Sequence, residues 1–141
     1  MAVNLAGCAR GTGINWPVSG TIYSHYSMRS RMSDRPQDYL LVHCTCPDHD
    51  AAVGLANTLV DEALAACINI VPGLTSIYRW QGERKTGTEE LLLIKIPATA
   101  YPALQQRIVD LHPYELPEVI AVPISEGLPD YVAWLGESCK L

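Results

Sequence analysis

From residue 39 onward, apolar and polar positions fall into runs that predict alternating strands and helices. Tyr39 to Cys46 (YLLVHCTC) is a short, mostly apolar run stopped by Pro47, and it predicts a buried strand. Asp48 can then cap a helix whose first turn also carries Asp50, where carboxylates meet the positive end of the helix dipole. Ala52, Leu55, Ala56, Leu59, Ala63 and Leu64 recur at helical spacing, which carries that helix to Ala66. Cys67 to Val71 predicts a second strand, interrupted by Pro72-Gly73, a pair suited to a bulge or an edge. Extended character resumes over Leu74 to Trp80, Gln81-Gly82 offers a turn, and Glu89 to Ile96 supplies the returning strand. Thr99 is the expected cap of a second helix with Pro102 in its first turn and Leu104, Ile108 and Leu111 on one face. His112-Pro113 ends it, Val119 to Ile124 is a fourth strand, and Leu128 to Glu137 is a closing helix that buries Tyr131, Trp134 and Leu135.

Two split βαβ units around one hairpin make an α+β, ferredoxin-like βαββαβ plait with a C-terminal helix, in which both main helices cover one face of an antiparallel sheet. The other face should then be polar, yet Tyr39, Leu41 and His43 alternate with Leu40, Val42 and Cys44, and Leu91 to Ile94 is apolar throughout. A strand that is apolar on both alternations expects cover on both sides. Length points the same way. The 14 residues from Cys67 to Trp80 span about 46 Å when extended, against a diameter of roughly 34 Å for a compact domain of this size. The tip, with Tyr78 and Trp80, should overhang the domain unless Pro72-Gly73 folds it back, and a two-stranded ribbon is marginal alone in water. Support from another copy of the chain is the expectation.

Residues 1–36 have a different character: glycines, serines, late arginines, no acid before Asp34 and no sustained period. They read as a flexible extension preceding a single domain over 37–141. A transit peptide has a similar composition, and Met28 or Met32 could be the start of the folded chain. The 141 residues carry net charge −5, but residues 1–36 hold four arginines and one aspartate, which leaves −8 for the rest. So acidic a domain does not suit nucleic acid or anionic lipid and suits cations better. No apolar run reaches the roughly 20 residues that cross a bilayer. Five unevenly spaced cysteines and no secretory signal suggest a reducing cytoplasm.

Cys44 and Cys46 lie two apart on a strand, so they share a face, but two thiols do not complete a structural zinc site. No phosphate-gripping glycine loop follows a strand: Gly11-Thr12-Gly13 sits in the extension and Lys85-Thr86-Gly87-Thr88 lacks the glycines. His43 and His49 read as a strand side chain and a solvated first-turn residue, and Glu83, Glu89 and Glu90 as solvated charge. Glu118 is expected to pair with Arg79, Lys95 or a backbone donor, or else to ligate metal or line a cleft.

Two longer stretches carry a resemblance. Ala65 to Gly82 (AACINIVPGLTSIYRWQG), followed by Leu91-Leu92-Leu93-Ile94-Lys95, and His112 to Ile120 (HPYELPEVI) resemble the CutA family of divalent-cation tolerance proteins, over residues 38–139. The resemblance implies a PII-like trimer whose long hairpins pair between subunits. It also implies a divalent metal, copper(II) or similar, at Cys44 and His112, a thiolate–imidazole pair that suits a borderline-soft ion. Some family members carry a second histidine where this chain has Leu111; Cys46 replaces it if the strand end lies near His112. The inter-subunit cleft of such a trimer would take Tyr78, Trp80, Lys95, Tyr114, Glu118 and Trp134, the aromatic members as packing at the contact or as a ligand pocket. The function implied is a soluble homotrimeric metal-binding or metal-tolerance protein and not an enzyme. The alternative is a PII-like signalling trimer that holds a small molecule between subunits. Catalysis by Cys44 with His112 as base would lack a recognisable orienting group and oxyanion hole.

Overall fold

In a computed structural model, which describes residues 38–140, the chain forms a four-stranded sheet with three helices. The strands are β1 (Tyr39–Cys46), β2 (Cys67–Trp80), β3 (Glu83–Pro97) and β4 (Ile120–Pro123), and the helices α1 (His49–Asp61), α2 (Tyr101–Leu111) and α3 (Pro129–Glu137). The order across the sheet is β2-β3-β1-β4, with every neighbouring pair antiparallel. This is the plait expected from the order of elements. The expected extension over 1–36 lies outside the described residues.

The core sits between the sheet and the two main helices. Val42, Cys44 and Cys46 of β1 and Leu92, Ile94 and Ile96 of β3 point into it at 0% exposure, against Ala52, Leu55 and Leu59 of α1 and Leu104 and Ile108 of α2. Asp48 does cap α1, its Oδ1 accepting from the Ala51 N–H at 2.9 Å from an extended backbone. Asp48→Ala therefore lowers stability by about 1 kcal/mol, measured as a shift in a chemical denaturation midpoint at constant slope.

Two helices end or start elsewhere than the pattern predicts, and two side chains face other than expected. Helix α1 stops at Asp61, not Ala66, because Ala63 turns into the left-handed region (φ 56°). The N–H groups of Leu64 and Ala65 then both reach back to Leu59 O, and Ala66 already pairs with Lys95 O. Helix propensity favours those residues, but the chain must reverse there to enter β2. Thr99 does not cap α2. It lies in a single 3-10 turn, Ala98–Ala100, and α2 starts at Tyr101 without a side-chain cap, with the φ of Pro102 preset for its first turn. Nor does Leu111 face inward: it is exposed, and the inward series Leu104–Ile108 continues four residues on at buried His112. On α3, Val132 and Leu135 are buried and Trp134 half-buried, whereas Tyr131 is exposed.

The hairpin is longer than its apolar part. β3 starts at Glu83, and the two-residue turn Gln81-Gly82 has positive φ at both positions, matching the twist of the flanking strands. Pro72-Gly73 makes the expected bulge, a register shift between Val71 and Leu74 on an edge strand. β1 covers β3 only from Glu90 to Pro97, so Leu74–Trp80 and Glu83–Glu89 form a ribbon of two strands alone.

The second face of the sheet is covered at its two ends, by packing of Tyr39 with Val132 and Leu135 of α3 and by Tyr114 over Glu89. Along the remainder, cross-strand register places Leu93, His43 and Ile120 in one row and Leu41 and Val122 in the next. Ile120 is 54% exposed and Val122 48%, with Ile77, Tyr78 and Trp80 exposed on the ribbon. In a single chain this apolar face meets water.

Candidate metal centre

The end of β1 and the end of α2 meet inside the core. Strand alternation puts Cys44 and Cys46 on the helix-facing side of β1, and the inward face of α2 delivers His112 beside them. One ligand-type atom from each of the three lies within 4.8 Å of the others, and all three residues are buried. Cys46 therefore does lie near His112, with Sγ 3.7 Å from Nε2.

The two thiols bias each other's ionisation. A hydrogen bond to Cys46, followed by burial, pushes the Cys44 thiol far up, and the same bond holds Cys46 below its ordinary value. Cys44 keeps its proton, and Cys46 is the sulfur that becomes anionic first. The His112 ring is pinned on both sides. The Tyr114 backbone N–H donates to Nδ1 at 3.0 Å, which leaves the ring proton on Nε2, and Nε2–H donates to Thr45 O at 2.8 Å. Tyr114 continues the network: its hydroxyl donates to Glu89 Oε1 at 3.0 Å, and burial together with that carboxylate pushes the phenol up to about 12.

Two buried sulfurs and an imidazole form a donor set that fits thiophilic, borderline-soft ions. The sulfurs are free to ligate once their protons leave. The ring nitrogen beside the sulfurs is Nε2, so a neutral imidazole ligates there only when its proton moves to Nδ1, which gives up the bonds to both Thr45 O and the Tyr114 N–H.

The cleft residues fall into two separate groups. Tyr78, Trp80 and Glu118 line one cavity of about 370 Å³ with Thr45, Glu89 and Leu116, and Tyr114 reaches its wall through Glu89. Lys95 and Trp134 are not part of it. Lys95 Nζ donates to Cys67 Sγ at 3.4 Å and to Asn69 Oδ1, and Trp134 stacks on Tyr131 with ring centroids 5.4 Å apart. Glu118 forms no ion pair with Arg79 or Lys95: Arg79 folds onto the turn, donating to Gly82 O at 3.1 Å, and Lys95 serves β2.

Of the three glutamates expected as solvated charge, Glu83 stays exposed and pairs with Lys85, and the other two meet other elements. Glu89 is buried beneath Tyr114, and Glu90 meets His49 Nδ1 at 3.0 Å. Glu89 shares its alternation with Leu91 and Leu93, which is the signal in the sequence that places it on the sheet rather than in solvent.

The family described as "CutA1 divalent ion tolerance protein" matches residues 40–138. The chain belongs to the CutA1 family. The Divalent-cation tolerance protein CutA of Thermus thermophilus is 52% identical over 98 residues, 70% of this chain and 95% of that protein. The solved structure of the Thermus thermophilus protein superimposes with a TM-score of 0.71 at 50% identity, covering 72% of this chain and 99% of that one. Protein CutA, chloroplastic, of Arabidopsis thaliana is 40% identical over 114 residues, 81% of this chain and 63% of that protein. Among the described residues no helix is long and apolar enough to cross a membrane.

Proposed function

We propose that this CutA1-family chain is a divalent-cation tolerance protein that works as a homotrimer. A borderline-soft divalent ion, copper(II) or zinc, is taken by the Cys44 and Cys46 sulfurs with His112 as third ligand. The observation that carries this reading is the convergence of two buried thiols and one imidazole within 4.8 Å. The ion takes the place of the thiol protons, and His112 joins through Nε2 when that nitrogen gives up its proton and its bond to Thr45 O. Catalysis is not part of the reading: His112 is oriented by backbone groups and has no carboxylate behind it.

The trimer reading rests on the apolar open sheet face and on the two-stranded ribbon, whose Ile77, Tyr78 and Trp80 are exposed in one chain. Four free thiols among the described residues favour a reducing compartment such as the cytoplasm.

Because the thiols must lose their protons, binding tightens as pH rises. The test is a calorimetric titration of the full chain with zinc(II), which does not oxidise thiols, at pH 6.5 and 8.0. The expected result is about tenfold tighter binding at the higher pH with net proton release. Affinity that stays constant, with no protons released, overturns thiol ligation.

A further inference from the structure

The sulfur–imidazole cluster is buried, so an ion has to enter past the side chains that cover it. Glu90 is the direct cross-strand partner of Cys46, which puts both side chains on one face with Cβ atoms about 5 Å apart. That is the helix side of the sheet, not the open face where a second copy is expected. The Glu90 side chain is 12% exposed, and His49, the first residue of α1, meets it from the solvent side, with Nδ1 3.0 and 3.2 Å from the two carboxylate oxygens. A carboxylate only accepts, so Nδ1 carries the proton of the neutral ring and Nε2 keeps a lone pair. Among the described residues nothing bonds to that Nε2, and the His49 side chain is 68% exposed. A ring held by a carboxylate at one nitrogen and open at the other is the arrangement in which histidine ligates metals. His112 is the converse, with both nitrogens engaged by backbone groups.

We propose, resting on the metal reading of Cys44, Cys46 and His112, that His49 and Glu90 are the entry pair of that centre: His49 Nε2 captures a divalent cation from solvent and Glu90 passes it to the Cys46 sulfur. Asp48 and Asp50 flank His49 at the start of α1, so the solvent around the ring is negative and attracts cations. The Glu90 carboxylate, once its bond to Nδ1 is released, is a hard oxygen donor that holds a borderline-soft ion weakly. The neighbouring sulfur is the softer donor and keeps it. His49 and Glu90 therefore set how fast the centre fills, and the two thiols set how tightly it holds.

The test mixes the full chain with cobalt(II) anaerobically in a stopped-flow instrument and follows the sulfur-to-cobalt charge-transfer absorbance, which rises only when the ion reaches the thiols. His49→Ala and Glu90→Gln are each expected to load about tenfold more slowly than the parent and to reach the same final absorbance. Asp61→Asn removes one carboxylate charge, as Glu90→Gln does, but from the far end of α1, and in physiological salt it stays within about twofold of the parent. His49 is exposed, so His49→Ala serves as the variant should Glu90→Gln fail to fold. A variant that merely loosens the structure opens the buried cluster and loads faster, which is the opposite direction. Parent-like rates in both His49→Ala and Glu90→Gln overturn the entry pair and leave the metal centre standing. No sulfur-to-cobalt absorbance in the parent at any cobalt concentration overturns the metal centre and the entry pair with it.

Discussion

Serine at both Cys44 and Cys46 lowers affinity for copper(II) by about a hundredfold or more while the chain stays folded. Both sulfurs project from one strand face at 0% exposure, and they are the only two soft donors of the cluster. A hydroxyl in the same place is a hard donor that holds its proton near neutral pH, so the variant presents an imidazole alone, and that imidazole is already engaged by Thr45 and Tyr114. Burying a hydroxyl costs about 1–3 kcal/mol per site where it finds no partner. The titration is therefore paired with circular dichroism, and retained fold with parent-like copper affinity contradicts the assignment. His112→Ala is a less selective probe. It leaves the Thr45 carbonyl and the Tyr114 amide without their partner, at about 1–3 kcal/mol each, so weakened binding there mixes ligand loss with loosening of the loop.

Aspartate at Leu93 and Ile120 dissociates the assembly, weakening self-association by about a thousandfold or more. The two positions flank His43 in one cross-strand row on the open face, and Ile120 is 54% exposed in the single chain. Each chain tolerates the charges in solvent, while an assembled face has to strip them of water without a counter-charge. Sedimentation velocity at micromolar concentration distinguishes the outcomes: the parent runs at three chain masses and the double variant at one. A variant that runs like the parent places the contact elsewhere.

The strands, the bulge and the topology were legible because each is a local signal: apolar runs of strand length, Pro72-Gly73, Gln81-Gly82 and an Asp48 cap. The overhang of the ribbon followed from counting residues, although its distal half, Glu83 to Thr88, is too polar to announce itself as strand and is drawn in by pairing with Leu74–Trp80. The end of α1 was not legible, since alanine and leucine favour helix and only the need to enter β2 bends Ala63. Of the site, the nearness of Cys46 to His112 is not fixed by the sequence. It depends on where α2 ends relative to β1, a contact 66 residues apart in sequence. The double hydrogen bond on His112 could not be read at all, because both partners are backbone groups, which carry no sequence signature. Within one chain Lys95 lies at the α3 end of the sheet and Glu118 at the ribbon end, so the residues expected at an inter-subunit cleft fall into two groups that only a second copy can bring together.

Copies of this chain are expected to assemble through an apolar sheet face, each holding one ion at Cys44 and Cys46. Native mass spectrometry of the full chain, with and without copper(II), tests both halves in one spectrum. The expected spectrum is a particle of three chains that gains three ions on copper addition. A single chain at micromolar concentration, or a trimer whose mass does not change with copper, contradicts it.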